Sequence, residues 1–208
     1  MKAPKSQGLL LAILTLAVST VTFLVYIPAL DARAISFDDD EYLLDNGLVQ
    51  NPSWHSAERF LVEVFRPSTV RGYYQPLAMI SLMADYAMGG GPEKLRPFHR
   101  TSVLLHVVNT ALIVILLYQL VGSAAAAAGI GLVFCVHPIA IESIPWIAER
   151  KTLLATFFAL ASLVFYVRYT KTRGIAAYAT SLLACVLALM SKPSATPLPF
   201  RSQQLSPS

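Results

Sequence analysis

Residues 101–141 decide the fold, and they read TSVLLHVVNTALIVILLYQLVGSAAAAAGIGLVFCVHPIAI. The run contains no Asp, Glu, Lys or Arg. A membrane-spanning helix needs about 20 consecutive apolar residues, so this run is long enough for two. Gly122-Ser123 is the one sensible turn within it. The sequence therefore predicts two spans, near 101–121 and 124–140.

Three further uncharged runs predict three more spans. Gly8–Leu30 has the length of a span and follows a basic N-terminus. A cleaved signal peptide is the alternative, because Ala32-Arg33-Ala34 has a small-x-small pattern, but its apolar region would have only about 7–15 residues. The other two runs are 152–167, which is short and relies on flanking tyrosines as interfacial anchors, and 174–191.

The composition is typical of a membrane protein. Of 208 residues, 55% are hydrophobic and 13% are charged, and the mean hydropathy is +0.57. A soluble domain has about 25% charged residues, so a water-soluble globule and a disordered tail protein are excluded. The 16 basic residues are scattered, which does not support a nucleic-acid partner. Because open sheets cannot span lipid, we predict an all-α polytopic membrane helical bundle with about five transmembrane helices.

The charged loops predict the orientation and the divisions of the chain. With Lys2 and Lys5 in the cytoplasm, alternation also places the basic loop 168–173 there, as the positive-inside rule requires. The predicted divisions are a first span over 1–30, a large extracytoplasmic loop over 31–100, a four-helix membrane region over 101–192 and a polar tail over 193–208. Within the loop, the segment near 76–89 predicts a helix at the membrane surface. The alternative is a re-entrant segment, which would add a crossing and invert the topology downstream. The basic loop 168–173 argues against this alternative, because it would then leave the cytoplasmic side.

An acidic run opens the predicted extracytoplasmic loop. Phe37 to Tyr42 read FDDDEY. Adjacent carboxylates raise one another's pKa, and one of them could then serve as a general base. A solvated acidic run without a chemical task is the alternative, and composition alone favours it.

A polar stripe begins the second predicted span. His99, Ser102, His106 and Asn109 are three or four residues apart, so they share one helical face. Polar side chains in a membrane face the bundle interior or an aqueous cavity, and we predict that His99 and His106 line a cavity. A helix–helix hydrogen-bond seam is the alternative, favoured for Asn109. No metal site is predicted, because two histidines without further ligands do not make a zinc site.

The hairpin between the third and fourth predicted spans carries charge. Residues 137–151 read HPIAIESIPWIAERK. Arg150 and Lys151 lie on the predicted extracytoplasmic side, against the positive-inside rule, which suggests that they have a specific role. A cationic pair near a helix N-terminus suits a phosphate. Salt bridges with the glutamates of the hairpin, or contact with lipid headgroups, are the alternatives. Lys192 repeats the pattern at the end of the fifth predicted span.

Together these motifs resemble a known family. The ordered set FDDDEY, QPL, FH…LLH…N, HPIAIESIPWIAERK and ALMSKP is similar to the membrane half of polytopic glycosyltransferases with a GT-C-type fold. In particular it resembles the transmembrane and tetratricopeptide-repeat containing O-mannosyltransferases, with their bacterial relatives closest, over residues 35–200. The hairpin is specific in this context, whereas the acidic run and the SKP turn are weak when taken singly.

The resemblance implies transfer of a sugar, with mannose expected, from a polyprenyl- or dolichyl-phosphate carrier to a protein Ser or Thr hydroxyl on the extracytoplasmic face. Asp38 or Asp39 would be the base, with Asp39 slightly favoured although neighbouring acids share a titration. The residues expected to bind the donor phosphate are Arg150, Lys151 and Lys192, and those expected to line the cavity are His99, His106, His137 and Glu142. No cofactor is expected, and a divalent metal is left open.

The chain also departs from the family's pattern. Gln75 stands where the family often has Arg or His, and Ser102 where it often has Asn. The family continues beyond Phe200 into further spans and repeats, so we interpret the chain as C-terminally truncated. A non-catalytic scaffold or inactive fragment that anchors repeats or a partner is the alternative function, while charges clustered at helix ends disfavour a transporter. The bacterial plasma membrane is the predicted location, and the endoplasmic reticulum membrane is the alternative.

Overall fold

The computed structural model describes residues 5–33, 38–66, 69–70 and 73–193, and within these ranges the regular structure is helical. Nine α-helices lie in the described ranges: α1 Lys5–Val25, α2 Gly47–Gln50, α3 Trp54–Leu61, α4 Pro76–Ala87, α5 Arg96–Val121, α6 Ala124–Cys135, α7 Pro138–Ser143, α8 Arg150–Thr172 and α9 Ile175–Ser191. The prediction of an all-α membrane bundle is confirmed. Lys2, the segment 34–37 and the predicted tail from 194 onward lie outside the described residues.

Five of these helices, α1, α5, α6, α8 and α9, form a bundle in which the chain runs alternately up and down. Lys192, after α9, donates a hydrogen bond to Thr152 at the start of α8 (2.8 Å). Lys171, near the end of α8, donates to the carbonyl of Gln119 near the end of α5 (2.5 Å). These contacts mark the two ends of the bundle. We call the end that holds Lys192 and the start of α8 the site end.

Three of the bundle helices are long and apolar enough to cross a membrane, within Ser6–Asp31, Arg96–Val121 and Ile147–Thr172. The spans predicted at 8–30 and 101–121 coincide with the first two of these helices. α8 is longer than the predicted short run 152–167, because charged residues at both of its ends also adopt helical structure. α6 and α9, with 12 and 17 residues, are shorter apolar helices, so two of the five predicted spans fall below full spanning length.

The turn predicted between α5 and α6 is confirmed. Gly122 ends α5 with a φ of +78°, a left-handed conformation that glycine adopts at little cost. Ser123 caps α6, its hydroxyl accepting a hydrogen bond from the amide of Ala126 (3.3 Å). The returning helix then brings Gly131 against Val114 of α5. A small residue at this point lets the two helices pack closely.

Gly131→Ala is expected to lower the free energy of unfolding by about 1–3 kcal/mol. The reason is that a Cβ at this position would lie 2.5 Å from Cγ2 of Val114. Gly129→Ala is the matched control, because a Cβ at residue 129 of the same helix meets no atom within 4 Å and alanine is the better helix former. Thermal unfolding in detergent measures both variants. Equal effects would contradict the close packing of α5 on α6.

The residues between α1 and α5 form a cap at the site end with a core of its own. This core contains Tyr42, Leu43, Val49, Phe60, Val70, Met79, Leu82, Phe98, Ile147 and Ala148. A helix forms where one was predicted near 76–89, as α4, and it buries Met79 and Leu82 in the cap core; its placement at the membrane surface stays a prediction. Because Ile147 and Ala148 belong to the hairpin before α8, the cap packs the acidic run directly against that hairpin.

Candidate functional site

Arg150 is the fully buried cation of the hairpin, with 0% of its surface exposed. Its Nη1 lies 2.8 Å from the Asp85 carboxylate and 2.7 Å from Ser81 Oγ. Nη2 donates to the Phe98 carbonyl (2.6 Å), and Nε donates to Ser102 Oγ (3.4 Å). Arg150 therefore fastens α8 to α4 and α5. This placement does not support the predicted role of Arg150 in phosphate binding, because its guanidinium is enclosed and already has four protein partners.

Asp85 is the partner of Arg150 that the sequence analysis did not identify. It lies in α4, and its carboxylate also accepts a hydrogen bond from Thr101 (2.6 Å). Burial raises the pKa of Asp85, and the positive charge of Arg150 opposes this rise. The sequence does contain a signal for this pair. Asp85 is the single acid within the apolar segment of α4, and a buried charge requires a partner of opposite sign.

Lys151 lies beside Arg150 but at the edge of the hairpin, with 12% of its side chain exposed. Its Nζ lies 3.4 Å from the Asp38 carboxylate and 3.7 Å from that of Glu149. It also donates to the Tyr42 hydroxyl (3.0 Å) and lies 4.7 Å from the centre of that ring. The fold thus brings a predicted acid and a predicted cation together from distant parts of the chain.

Lys192 extends this group from the end of α9. Its Nζ lies 3.8 Å from the Glu149 carboxylate and donates to Thr152 (2.8 Å), whose hydroxyl in turn donates to Glu149. Glu149 therefore lies between the two lysines. A salt bridge to Glu149 was one of the alternatives to phosphate binding, and it is present. We call Asp38, Tyr42, Glu149, Lys151 and Lys192 the charged cluster.

The two candidate bases have opposite environments. The Asp38 side chain is 54% exposed and pairs with Lys151. Asp39 has 0% exposure, and its Oδ1 accepts a hydrogen bond from the amide of Ala148 (2.8 Å). Consecutive residues of a helix are rotated by about 100°, so neighbouring acids point in different directions. The accessible carboxylate is that of Asp38, whereas the sequence slightly favoured Asp39.

Tyr42 connects the charged cluster to the cap. Its hydroxyl oxygen accepts hydrogen bonds from Lys151 and from the Gln75 amide, and the residue is 1% exposed. Burial raises the pKa of Tyr42, while these two hydrogen bonds oppose the rise. The phenol therefore stays protonated at neutral pH and can orient Lys151. Gln75 is uncharged, so it contacts Tyr42 without adding a second cation beside Lys151.

An apolar cavity of about 340 Å³ adjoins the charged cluster. Its lining residues are His106, Asn109, Phe134, His137, Ala140, Ser143, Thr152, Leu153 and Thr156. Thr152 belongs to this lining and also contacts Lys192. Asn109 donates to the Leu153 carbonyl (3.0 Å), as the seam alternative predicts, while its buried Oδ1 has no partner among the described residues. The cavity therefore offers a mainly apolar wall.

Two of the four predicted cavity-lining residues, His106 and His137, line this space. His99 does not, because it is fully buried and its Nε2 lies 2.9 Å from the carbonyl of Ala32. That contact joins α5 to the segment that follows α1, so it matches neither the predicted cavity nor the helix–helix seam that was the alternative. Glu142 is exposed on α7 and also lies outside the lining.

The fold and the site define a polytopic α-helical membrane protein that holds carboxylates against lysines at one end of its bundle, beside an apolar cavity. Its homologues are the protein O-mannosyl-transferases of the TMTC family, and the match is partial and at the level of the family. The chain is 29% identical to protein O-mannosyl-transferase Tmtc2 of Drosophila melanogaster over 157 residues, which are 74% of this chain and 16% of that protein. It is 30% identical to tmtc2 of Xenopus laevis over 161 residues (75% and 19%) and 35% identical to human TMTC2 over 106 residues (50% and 12%).

The chain therefore spans between 12% and 19% of the length of these relatives. No family profile matches it, and no solved structure matches it. The family resemblance predicted from the motifs is confirmed by these relatives. They are animal proteins, which gives no support to a bacterial plasma membrane as the location. The assignment to a membrane is supported by the three spanning helices.

Proposed function

We propose that this chain carries the catalytic site of a glycosyltransferase that moves mannose from a polyprenyl- or dolichyl-phosphate carrier to a protein Ser or Thr hydroxyl. The observation that carries the proposal is the 3.4 Å contact between the half-exposed carboxylate of Asp38 and the ammonium of Lys151 at the site end. The names of the homologues support mannose and a protein acceptor. We place the site on the extracytoplasmic face, since the basic loop 168–173 lies at the opposite end. The endoplasmic reticulum membrane is the location that fits animal relatives.

Transfer of this kind needs a base and a group that stabilises the leaving phosphate. Asp38 takes the proton of the acceptor hydroxyl as the hydroxyl oxygen attacks the anomeric carbon of mannose. The bond between that carbon and the phosphate oxygen breaks, and its electron pair leaves with the phosphate. Lys151 and Lys192 stabilise the resulting negative charge. Attack from the side opposite the phosphate inverts the anomeric centre, so the bound sugar lies between Asp38 and Lys151 and separates the two groups that are in contact here.

In this proposal Arg150 and Asp39 are positioning residues. The Arg150–Asp85 pair holds the first turn of α8 against α4, and Lys151 is the next residue of that turn. Asp39 holds the acidic run to the hairpin through the amide of Ala148. Together they fix the two chain segments whose exposed neighbours, Asp38 and Lys151, face each other.

The apolar cavity supports a lipid-linked donor. It is walled by membrane helices α5, α6 and α8 and adjoins Lys192 through Thr152. A carrier whose phosphate lies at the lysines would have an apolar space directly beside it for its chain. Because that chain would enter from the lipid bilayer, the cavity would bind it through van der Waals packing rather than through removal of apolar surface from water.

A non-catalytic scaffold is the second candidate, and one observation favours it. Glu149 lies 3.7 Å from Lys151 and 3.8 Å from Lys192, so both lysines already have a negative partner without any phosphate. In that case the charged cluster only fastens α8 and α9 to the cap.

A transfer assay separates the two candidates. Membranes that contain the chain receive radiolabelled polyprenyl-phosphate mannose and a Ser/Thr-rich peptide, and label in the peptide is counted. Label above that of membranes without the chain supports the transferase. Label at the background level, with the chain verified in the membrane fraction, overturns catalysis by this chain and leaves the scaffold.

Lys151→Ala is expected to raise the KM for the lipid-linked donor about 10- to 100-fold, because a hydrogen bond to a charged group contributes about 1.5–3 kcal/mol. The KM for the peptide should stay nearly unchanged. Lys171→Ala removes the same charge at the opposite end of α8 and serves as the control. Steady-state kinetics with each substrate varied in turn measure both constants. An unchanged donor KM in Lys151→Ala would count against a phosphate at the charged cluster.

A further inference from the structure

A second group of cations lies at the site end, apart from the charged cluster. Arg96 and Arg100 occupy the first turns of α5, four residues apart and on one helical face, and both are exposed. Within the described ranges, no carboxylate lies within 4.0 Å of either guanidinium. Asp85 is close enough to sense Arg100, but it is paired with Arg150. The two guanidiniums therefore remain available to an external anion.

Below these arginines runs an apolar groove of about 470 Å³ between the end of α1 and the start of α5. Its lining residues are Phe23, Leu30, Arg96, Pro97, Arg100 and Leu104. The groove shares none of these residues with the cavity beside the charged cluster. It continues at the level of Arg96 into a wider polar depression of about 660 Å³, where Arg33 and Lys94 add further positive charge and Asp31 and Glu93 add negative charge.

The groove lies within the membrane-spanning part of the protein. Phe23 belongs to the span Ser6–Asp31 and Leu104 to the span Arg96–Val121. At 1.5 Å per residue, the distance along α5 from Arg96 to Leu104 is about 12 Å. An apolar groove at this depth faces lipid rather than water, so a lipid chain is the occupant that the surroundings supply.

We propose that this groove is a binding site for an anionic phospholipid. The phosphate lies between Arg96 and Arg100, since guanidinium donors match phosphate oxygens in bidentate geometry. One acyl chain packs against Phe23, Leu30 and Leu104. A soluble phosphate would leave this apolar wall unused, and a lipid without net charge would leave the guanidiniums unneutralised. The bound lipid would fasten α1 to α5 at the end of the bundle where the charged cluster lies.

Lipid retention measured by native mass spectrometry tests the proposal. The purified chain is released from mixed micelles that contain equal amounts of phosphatidylglycerol and phosphatidylcholine with the same acyl chains. The wild-type chain should retain phosphatidylglycerol about tenfold over phosphatidylcholine, because both lipids carry the phosphodiester but the choline cation of phosphatidylcholine cancels its charge beside the two arginines. The double variant Arg96→Gln/Arg100→Gln should lose this preference. Arg168→Gln/Arg173→Gln, which removes two charges at the opposite end, should keep it.

A second variant tests the apolar half of the site without changing its charge. Leu104 is 48% exposed, so Leu104→Trp can fill the groove without disturbing the bundle core, and it should lower phosphatidylglycerol retention by a similar factor. Unfolding temperatures in detergent without lipid verify that each variant is folded. Equal retention of the two lipids by the wild-type chain, or equal losses in the two double-arginine variants, would overturn the proposal. So would complete displacement of phosphatidylglycerol by inorganic phosphate at millimolar concentration.

Discussion

Asp38→Asn is expected to lower kcat for mannose transfer by about 10²- to 10⁴-fold, the usual contribution of a general base. Asparagine keeps the size of the side chain but cannot accept the proton of the acceptor hydroxyl. The free energy of unfolding should change by less than about 1 kcal/mol, because the carboxylate is 54% exposed and an exposed ion pair contributes little. The transfer assay measures the rate, and thermal unfolding in detergent measures stability.

Asp40→Asn is the matched control for this prediction, since it removes a charge from the same acidic run. Asp40 begins a π-helical turn, Asp40–Leu44, and no ion pair to a lysine of the charged cluster is found for it within the described residues. Its variant should keep most of the transfer activity. If Asp39→Asn abolishes transfer while Asp38→Asn leaves it unchanged, the base is Asp39 and the accessibility argument is wrong.

Arg150→Met is expected to lower the free energy of unfolding by about 3–5 kcal/mol, because it leaves the buried Asp85 carboxylate without its cation. Without Arg150, only the Thr101 hydrogen bond and the Arg100 charge oppose the effect of burial, so the pKa of Asp85 is raised further above its unfolded value. The folded variant binds more protons than the unfolded chain, so its stability falls as pH rises. The loss should therefore be smaller at pH 5 than at pH 8. Thermal unfolding in detergent at both pH values measures it.

The double variant Arg150→Met/Asp85→Leu should recover most of this loss, because replacing both members of a buried pair by apolar groups leaves no unpaired charge. Arg168→Met, at an exposed position, is the control for substitution of an arginine by methionine on the same helix. A loss below about 1 kcal/mol in Arg150→Met, or a double variant no more stable than the single ones, would show that the pair does not hold α8 to the cap.

The membrane helices could be predicted because hydropathy is a property of the local sequence. The uncharged run 101–141 and the Gly122-Ser123 turn yielded α5, the turn and α6 in their observed order. The bounds were less accurate where charged residues continue a helix beyond its apolar run. α8 begins at Arg150, two residues before the run that predicted it, because Arg150 is paired with a residue of the cap. Sequence alone does not reveal that a charge is neutralised by a distant partner.

The candidate site was predicted in part, for a related reason. The sequence placed acids and cations at the same end of the bundle, and the contact of Asp38 with Lys151 agrees with that placement. It also placed His106 and His137 at a cavity. The sequence did not show that Arg150 and Asp39 are buried while their neighbours Lys151 and Asp38 are accessible. Adjacent residues of a helix point to different sides, and only the neighbouring elements decide which side is buried. Asp85, which neutralises Arg150, lay in a segment predicted only as a surface helix.

The sequence by itself thus determined that this chain is a helical membrane bundle, where its helices turn, and that its charges collect at helix ends. The reason is that a lipid core excludes charge and unpaired backbone groups along the chain. Only the tertiary structure decided which charge meets which. Arg150 joins Asp85 in the interior, while Lys151 joins Asp38 and Glu149 at the edge. Such pairs depend on the packing of α4 and the acidic run against the start of α8, which brings together residues that are distant in the chain.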